Sequence, residues 1–292
     1  MAGTNRKKDF YASVLTEMID EGVISTSSKI LVVCGDTHDY ETLISRHFEN
    51  VTISNLDDRL EADGDNRFAP YAWEYQHAER LSYEDESFDF VVVHSGLHHL
   101  RCPQKGIAEM YRVAALGVLA FEPHRNLFTS LGVKLGFGQA YETAAVFYND
   151  CKYGGVENSN VPNYVCRFTK GDIRRTIQAH SPVAGHHFRF WYATRIPDRL
   201  VKMKRKYLWA CVAVAGNLLV YLGKTFPFFA NNMAFYVAKP AIPGDLFPWL
   251  QVEGSAIVPK EEWLRKRYIE VAQRSTSRGN RIRDPWTDAV SP

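Results

Sequence analysis

The stretch HAERLSYEDESFDFVVVHSGLHH, residues 77–99, holds the strongest pattern in this sequence. Its residues 88–93 form a largely apolar run after an acidic, turn-forming patch, which predicts a strand buried on both faces of a parallel sheet. A helix is predicted directly afterwards, over residues 104–113. Because a strand leading into a helix is the unit from which parallel sheets are built, the stretch predicts an α/β protein.

The alternation of strands and helices continues on both sides of this stretch. Each crossover between parallel strands must return the chain over a face of the sheet. We therefore predict an α/β fold with a Rossmann-like, doubly wound, mostly parallel seven-stranded sheet, helices on both faces and a lid insertion. The further elements are a helix over 9–21 that is expected to cover one sheet edge, strands over 29–34, 51–54, 72–75, 117–121 and 232–238, and helices over 40–47 and 261–273.

The composition favours a folded, cytoplasmic protein without a metal site. Of the 292 residues, 46% are apolar, which is enough for one large core or a core with an annex. The 35 basic and 33 acidic residues are too balanced to favour nucleic acid as a partner. The five cysteines are scattered without a CxxC pair, which favours reduced thiols, and the basic N-terminus lacks the apolar run of a secretory signal. The adjacent His186 and His187 are not expected to share a metal, because neighbouring strand residues point to opposite faces.

Ligands of an open parallel sheet bind where the carboxyl ends of the strands meet the loops. After the first strand, Gly35 lets a ligand approach the backbone, although a plain tight turn explains this glycine as well. After the second strand, Asn55 or Asp57 can accept hydrogen bonds from the hydroxyls of a ribose, and an adenine ring can lie along the loop near Ala78. The GxGxxG fingerprint is absent, which argues against a nicotinamide-dependent oxidoreductase.

Residues 77–99 resemble a pattern of the class I S-adenosylmethionine-dependent methyltransferases, in particular the small-molecule enzymes often labelled type 11. In that group the pattern reads approximately DAExLPFxDxSFDxVxxxxxLHH. Residues 100–113 are similar to the family's next helix, 117–123 to its following strand and EP turn, and 168–178 to its late helical element. The resemblance extends from residue 30 to about residue 126, and it implies a methyltransferase.

The resemblance implies that S-adenosylmethionine is the cofactor. The chain departs from the family in three places: the first loop holds a single glycine, Asn55 replaces a ribose-binding acid, and His77 replaces an aspartate that faces the adenine amine. Asp57 and the backbone of Leu56 and Ala78 can supply these contacts. The predicted cofactor-binding residues are Gly35, Asn55, Leu56, Asp57, His77, Ala78, Glu79 and His94.

Histidines near the expected position of the methyl group are candidates for a catalytic base. Methyl transfer from a sulfonium mainly needs alignment of the reacting atoms. A hydroxyl acceptor is helped by a base whose pKa is near neutral, which favours histidine. His94, His98 and His99 follow one strand, and Glu122 and His124 follow the next. We predict His99 or His124 as the base, the alternative being that these histidines are structural.

Four segments are expected along the chain. Residues 1–126 form the S-adenosylmethionine-binding core, 127–231 a substrate lid or insertion, 232–240 a returning strand and 241–292 a C-terminal extension. The aromatic and amide side chains over 141–164 suit a polar ring such as a sugar or a phenol, although an ordinary packed insertion explains them as well.

Three stretches in the second half have distinctive compositions. Glycines and asparagines over 127–181 predict loops. The basic run 199–206 precedes an apolar stretch over 207–222, which is shorter than the ~20 residues of a membrane span. We expect a buried helix there, and the alternative is a weak contact with a membrane surface. The basic stretch 278–285 is expected to be mobile.

The residues and the resemblance together predict an S-adenosylmethionine-dependent methyltransferase. Its expected partner is a small or medium polar acceptor, methylated on an oxygen or nitrogen, such as a sugar or a secondary metabolite. One alternative is a binding protein that kept the fold and lost catalysis. Another is a methyltransferase for a lipid-linked substrate at a membrane surface. The sequence leaves the acceptor and the oligomeric state open.

Overall fold

The structure is a computed structural model that describes residues 2–59, 67–136, 138–195 and 226–278, with side chains from residue 10 to residue 269. These residues form nine strands and seven helices, which are numbered below in chain order. The chain divides into two compact units: the first is Met1–Pro182 with His186–Lys239, and the second is Val183–Gly185 with Pro240–Pro292.

The first unit contains one sheet of seven strands, whose bounds are β1 (Lys29–Val33), β2 (Asn50–Asn55), β3 (Ala72–Tyr75), β4 (Phe88–His94), β5 (Ala114–Pro123), β6 (His187–Ala193) and β7 (Asn232–Ala238). The strand order is β3-β2-β1-β4-β5-β7-β6. Strands β1 to β5 run parallel, whereas β7 is antiparallel to both β5 and β6. The predicted Rossmann-like, mostly parallel, seven-stranded sheet is confirmed.

Helices cover both faces of this sheet. The helices of the first unit are α1 (Ala2–Asp20), α2 (Thr37–Ile44), α3 (Pro103–Val113), α4 (Leu127–Lys134), α5 (Thr143–Tyr148) and α6 (Lys170–His180). Alternate residues of β4 enter two separate cores, because successive strand side chains point to opposite faces. Val91 and Val93 pack in the core that includes residues of α3 and α6. Phe90 and Val92 pack in the core that includes residues of α1 and α2.

Helix α1 lies over a face of the sheet, so the predicted position at a sheet edge is wrong. Tyr11, Leu15 and Met18 are fully buried and belong to the core that contains Val32 of β1. The ring of Tyr11 lies 4.6 Å from that of Phe121 in β5. Since β1 and β5 are both inside the sheet, this contact places α1 across a face, where its apolar stripe buries more surface than at an edge.

Capping residues fix where two helices begin, and α2 starts and ends three residues earlier than the predicted helix over 40–47. The Asp36 carboxylate accepts hydrogen bonds from His38 N and Asp39 N, while Asp39 accepts from Asp36 N, so that α2 starts at residue 37. Thr169 and Asp172 form the same reciprocal box at the start of α6. Each box satisfies backbone N–H groups that the first helical turn leaves without partners.

The region over 127–181 contains the three helices α4, α5 and α6 as well as loops. A helix was expected only at 168–178, so the prediction of loops for the rest of the region is wrong. Asn126 and Thr129 form a capping box that starts α4. Helix α4 was not predicted because its regularly spaced leucines, Leu127 and Leu131, face solvent rather than the core. After α5, residues 163–165 return beside residues 140–142, with Glu142 N donating to Asn163 O at 2.9 Å.

The second unit contains an antiparallel hairpin of β8 (Leu250–Glu253) and β9 (Ala256–Pro259), followed by helix α7 (Glu261–Arg278). Helix α7 confirms the prediction over 261–273 and is longer. The hairpin was not predicted, because its four-residue strands are half-exposed to exposed and lack a strong apolar alternation.

Several expectations fall on residues that are not described. The basic and apolar stretches over 199–222 lie outside the described residues, as does the C-terminal sequence after residue 278. In the parts of the chain that are described, no helix combines the length and the apolar character needed to cross a membrane. Four described cysteines, Cys34, Cys102, Cys151 and Cys166, are free thiols.

Candidate functional site

A cleft of about 490 Å³ opens at the carboxyl ends of the parallel strands, with residues of the 142–165 region along its other side. The predicted residues His77, Glu79 and His124 are not part of its lining. Seven predicted site residues line it: Gly35, Asn55, Leu56, Asp57, Ala78, His94 and His99. The sheet therefore brings together side chains that are up to 64 positions apart, as expected for the open end of a parallel sheet.

Two glycines let the backbone come close to the cleft. A Cβ on Gly35 would lie 2.7 Å from Ile53 Cγ2 and 2.9 Å from Val32 Cγ1. A Cβ on Gly96 would collide with Cβ of Cys34. Both glycines line the cleft, and both are required by close packing between neighbouring strand ends rather than by an unusual backbone angle.

Asn55 holds the loop after β2 through its side-chain amide. Its Nδ2 donates to Gly35 O at 2.7 Å, and its Oδ1 accepts from Asp57 N at 3.0 Å and from Trp73 Nε1 at 3.2 Å. An amide oxygen has two lone pairs, so Oδ1 is fully used within the protein. The predicted role of Asn55 as an acceptor for a ribose hydroxyl is therefore not supported, although one N–H of its amide can still donate.

The backbone at Leu56 and Ala78 remains available to a ligand. Both residues line the cleft, and neither N–H donates to another described residue. The carbonyl of Leu56 accepts from Asn158 Nδ2 at 3.0 Å, which joins the loop after β2 to the opposite side of the cleft. Such N–H groups are suited to bind the ring nitrogens of a purine.

Asp57 carries a negative charge at the edge of the cleft. Arg59 donates to its two carboxylate oxygens at 2.6 and 2.7 Å. This bidentate pair lowers the pKa of Asp57 below its usual value. The guanidinium of Arg59 also lies over the ring of Tyr153, 4.1 Å from its centroid. The carboxylate is ionised at neutral pH and keeps acceptor capacity for a hydroxyl.

His77 and Glu79 lie outside the lining of the cleft and hold nearby loops in place. His77 Nδ1 accepts from Glu79 N at 3.1 Å, which places the proton of the neutral ring on Nε2, 3.2 Å from Glu157 Oε1. Glu79 is buried, and it accepts from Cys102 N at 2.8 Å at the start of α3. Neither side chain lines the cleft, so we assign both to holding loops in place.

His94, at the end of β4, is packed among aromatic rings. Its imidazole stacks on Tyr11 with the ring centroids 4.9 Å apart and lies 4.7 Å from the ring of His38. It is 8% exposed and borders the cleft. His94 thus presents the edge of a ring that its neighbours hold fixed.

A buried pair that the sequence did not predict, His98 and Glu122, joins the ends of β4 and β5. His98 Nδ1 lies 2.7 Å from Glu122 Oε2, and Leu97 N donates to Glu122 Oε1 at 2.7 Å. Burial alone would lower the pKa of His98, but Glu122 and Glu142 raise it to about 9. His98 is therefore a cation at neutral pH when only protein groups surround it.

His99 and Glu142 complete this cluster on the cleft side. Glu142 Oε2 lies 3.2 Å from His98 Nε2 and 3.4 Å from His99 Nε2. Burial alone would raise the pKa of Glu142, but the two histidines lower it to about 2. Burial lowers the pKa of His99, and the charge of His98 lowers it further. His99 is the neutral imidazole of the cluster and is accessible from the cleft.

His124 lies away from the cleft, although the sequence made it an equal candidate for the base. It is 6% exposed, and its Nδ1 lies 3.0 Å from Ala230 O and 3.1 Å from Asn126 Nδ2. Its ring packs 5.0 Å from that of Tyr192. The structure thus assigns His124 to the junction of β5 with the residues before β7.

Glu122 was not among the predicted site residues, although the sequence could have indicated it. Glu122 is the only charged residue of β5, and a carboxylate at the end of an otherwise apolar strand is rarely buried without a partner. Glu142 had no such signal, because its approach to His98 joins positions 44 residues apart through an irregular loop.

An open parallel sheet with a cleft at its carboxyl ends defines the class of open α/β proteins, which bind their ligands at that place. Within that class, the sequence model of a family described as "Methyltransferase domain" matches residues 31–121, which include every predicted cofactor-binding position. The predicted resemblance is confirmed. Residues 31–121 thus match a methyltransferase domain.

The chain is also similar to several known proteins. The "Ubiquinone/menaquinone biosynthesis C-methyltransferase UbiE" of Zymomonas mobilis is 28% identical over 96 residues, which cover 31% of this chain and 40% of that protein. The chain thus matches less than half of this relative's length. The YcgJ protein of Bacillus subtilis has a TM-score of 0.45 and 10% identity, covering 78% of this chain and 98% of its own. The magnesium protoporphyrin IX methyltransferase of Synechocystis, solved with bound SAH, has a TM-score of 0.45 and 11% identity, covering 82% and 84%.

Proposed function

We propose that this chain binds S-adenosylmethionine in the cleft and transfers its methyl group to a small or medium polar acceptor. The observation that carries this proposal is the position of the cleft, which lies at the carboxyl ends of β1 to β4 and takes most of its lining from the matched residues 31–121. We expect the methylated atom to be an oxygen or nitrogen of a compound such as a sugar or a secondary metabolite.

The cleft suits the proposed cofactor in size and in chemistry. Its volume of about 490 Å³ lies in the range of sites for small ligands, roughly 300–1,000 Å³. The side-chain-free surface at Gly35 allows close approach, Asp57 offers a carboxylate to a ribose, and the N–H groups of Leu56 and Ala78 are available to an adenine ring. These features support binding by the backbone more than by the residues that depart from the family pattern.

Bound S-adenosylmethionine supplies a methyl group on a positively charged sulfur. The chain then needs to align an acceptor atom with that methyl carbon and to exclude water. Residues of β4 and the following turn, His94 to Gly96, border the cleft beside His98 and His99. This side of the cleft is the part that we assign to the acceptor.

We assign activation of the acceptor to His99 and its neighbours rather than to His124. His99 faces the cleft as a part-buried imidazole, and burial holds its pKa below the ordinary value, which keeps it neutral at pH 7. His124 is buried against Ala230 and Tyr192, outside the cleft lining. Of the two predicted bases, only His99 can therefore reach a bound acceptor in the described part of the chain.

The experiment uses S-adenosylmethionine labelled in its methyl group, with deproteinised cell extract as the source of acceptors. We expect label in the small-molecule fraction with the wild-type chain, a fall of at least about 100-fold with His99→Ala, and near-normal transfer with His124→Ala. Unchanged transfer in His99→Ala would remove the assigned role. Absence of transfer by the wild type, together with absence of S-adenosylmethionine binding, would overturn the proposed function.

A non-catalytic binding protein is the second candidate, and one observation favours it. The acceptor atom of Asn55 is consumed within the protein, where the family has a ribose-binding acid. Calorimetric binding of S-adenosylmethionine without label transfer to any extract component would select this candidate.

A methyltransferase for a lipid-linked acceptor is favoured by the exposed apolar side chains of the lid. Leu127, Leu131 and Leu135 are spaced four residues apart and are 72%, 52% and 62% exposed. Phe147 and Tyr148 are exposed as well. Co-sedimentation with vesicles that contain anionic lipid would support this candidate, and retention in the supernatant would remove it.

A further inference from the structure

We propose that His98, His99 and Glu142 bind a divalent transition-metal ion at the cleft. Their ligand atoms all lie within 4.8 Å of one another, and all three residues line the cleft. Two imidazoles and one carboxylate form a set with which proteins bind zinc and other first-row divalent metals, leaving further coordination positions open.

The distances from Glu142 to the two histidines fit ligands around one ion. Glu142 Oε2 lies 3.2 Å from His98 Nε2 and 3.4 Å from His99 Nε2. Ligand atoms that are each about 2.1 Å from one ion lie roughly 3.0 Å apart at a right angle and roughly 3.4 Å apart at a tetrahedral angle. A charge-assisted hydrogen bond is shorter, at about 2.8 Å, as the 2.7 Å contact of His98 Nδ1 with Glu122 illustrates.

In both histidines, the ring nitrogen that does not face Glu142, Nδ1, lies close to a hydrogen-bond acceptor. Glu122 Oε2 lies 2.7 Å from His98 Nδ1, and Gly155 O lies 3.3 Å from His99 Nδ1. These acceptors place the proton of each neutral ring on Nδ1, so that the lone pair of each Nε2 faces Glu142. When a metal ion replaces the Nε2 proton that His98 carries in its absence, three electron-pair donors converge on one region, and the ion satisfies all three. Carboxylates and carbonyls behind histidine ligands are common in metal sites because they orient the rings.

Glu142 is held in place by its backbone before any ion binds. Glu142 N donates to Asn163 O, and Val165 N donates to Ala140 O, both at 2.9 Å. Asn163 is buried, and its Nδ2 donates to His98 O at 3.0 Å. Its Oδ1 has no hydrogen-bond partner among the described residues. Ligands held in this way need little rearrangement on metal binding, which favours affinity.

What the ion does rests on the proposed function. The open coordination positions face the cleft, where a hydroxyl oxygen of the acceptor can bind. Coordination would lower the pKa of that hydroxyl, so that its proton would pass to water. The oxygen would then bond to the methyl carbon as the carbon–sulfur bond breaks and S-adenosylhomocysteine leaves. In this scheme His99 activates the acceptor by holding the ion. The sequence predicted no metal site, because Glu142 lies 44 residues from His98.

The test is metal binding by the full chain, measured without any turnover. Protein stripped with EDTA is titrated with Zn²⁺ in a calorimeter, and its zinc content is measured after desalting. We expect about one tightly bound ion per chain. His99→Ala and Glu142→Gln should each weaken binding by at least about tenfold. Glu157→Gln is the matched control, because it changes another cleft glutamate outside the triad and should leave zinc binding unchanged.

Two results would overturn the inference: a wild-type chain that retains no zinc, or variants that bind zinc as tightly as the wild type. Circular dichroism checks that each variant is folded, and His99→Gln replaces His99→Ala if the latter unfolds. Titration of the stripped protein with S-adenosylmethionine separates the two proposals. Cofactor binding without zinc binding would refute the metal site alone, and zinc binding without cofactor binding would refute the proposed function alone.

Discussion

At the scale of single residues, the buried carboxylate of Glu122 joins two elements of the sheet. Its side chain is fully buried, and its two oxygens accept hydrogen bonds from Leu97 N and from the ring of His98, each at 2.7 Å. These bonds attach the turn after β4 to the end of β5. The orientation of His98 toward the cleft therefore depends on a carboxylate that the cleft does not expose.

Glu122→Gln is expected to destabilise the chain by about 2–4 kcal/mol, because it leaves a buried imidazolium with half of its countercharge. Urea unfolding at pH 7 measures the change. Glu142→Gln is the control: its side chain is 34% exposed, so the loss should stay below about 1 kcal/mol. Equal losses in the two variants would contradict the role given to Glu122.

Gly35→Ala is expected to cost about 1–3 kcal/mol and to weaken S-adenosylmethionine binding, because the new Cβ would lie 2.7 Å from Ile53 and 2.9 Å from Val32. Thermal unfolding and cofactor titration measure the two effects. Gly132→Ala in α4 is the control, since nothing lies within 4 Å of its Cβ position and alanine favours a helix. A Gly35→Ala chain as stable as the control would count against close packing at this strand end.

The residues of the site were only partly predictable. Gly35 could be placed at the cleft because it follows a strand that an apolar run identifies, and Leu56 and Ala78 because each lies in the loop after a predicted strand. The difference between His99 and His124 could not, because both follow strands and only three-dimensional packing buries the latter against Ala230. Sequence spacing reports the strand end that a residue occupies, but not the direction of its side chain.

At the scale of elements, Arg112 of α3 fastens the loop that precedes β4. Its guanidinium donates to Leu81 O at 3.0 Å, to Tyr83 O at 2.8 Å and to Asp85 Oδ1 at 2.8 Å. Glu109, one turn earlier, accepts from Leu81 N at 3.0 Å and also pairs with Arg112. One turn of helix thus holds the acidic loop that the sequence pattern identified.

Arg112→Ala is expected to destabilise the chain by about 2 kcal/mol, because two loop carbonyls and the Asp85 carboxylate lose a charged donor. Hydrogen exchange should become faster at the amides of residues 78–85, next to the cleft position of Ala78. Arg80→Ala, an exposed arginine in the same loop, should change stability by less than about 0.5 kcal/mol. Unchanged exchange in Arg112→Ala would show that the loop is held by other contacts.

Elements were predictable where burial dictates the sequence. Strands β1 and β4 are almost wholly buried, and their apolar runs located them to within a residue or two. Helix α4 and the β8–β9 hairpin have exposed or half-exposed apolar residues. Their sequences therefore lack the buried apolar pattern from which an element can be predicted. The position of α1 was missed because amphipathicity identifies a buried face of a helix, but not the strands against which it packs.

At the scale of the first unit, we assign cofactor binding and acceptor activation to two different sides of one cleft. The ends of β1 to β3 present Gly35, Leu56 and Ala78, which we assign to the cofactor. The turn after β4 and the region containing Glu142 present the histidines, which we assign to the acceptor and to a metal ion. The central claim is that the first side binds S-adenosylmethionine, since every further step depends on it.

Calorimetric titration of the wild-type chain with S-adenosylmethionine, supported by thermal unfolding, tests this claim most directly. We predict saturable binding near one molecule per chain and a stabilisation of about 2.7 kcal/mol at a ligand concentration one-hundred-fold above Kd. Gly35→Ala should weaken the affinity, and Gly132→Ala, whose new Cβ would meet nothing within 4 Å, should not. Absence of both heat and a thermal shift with the wild-type chain would contradict the account.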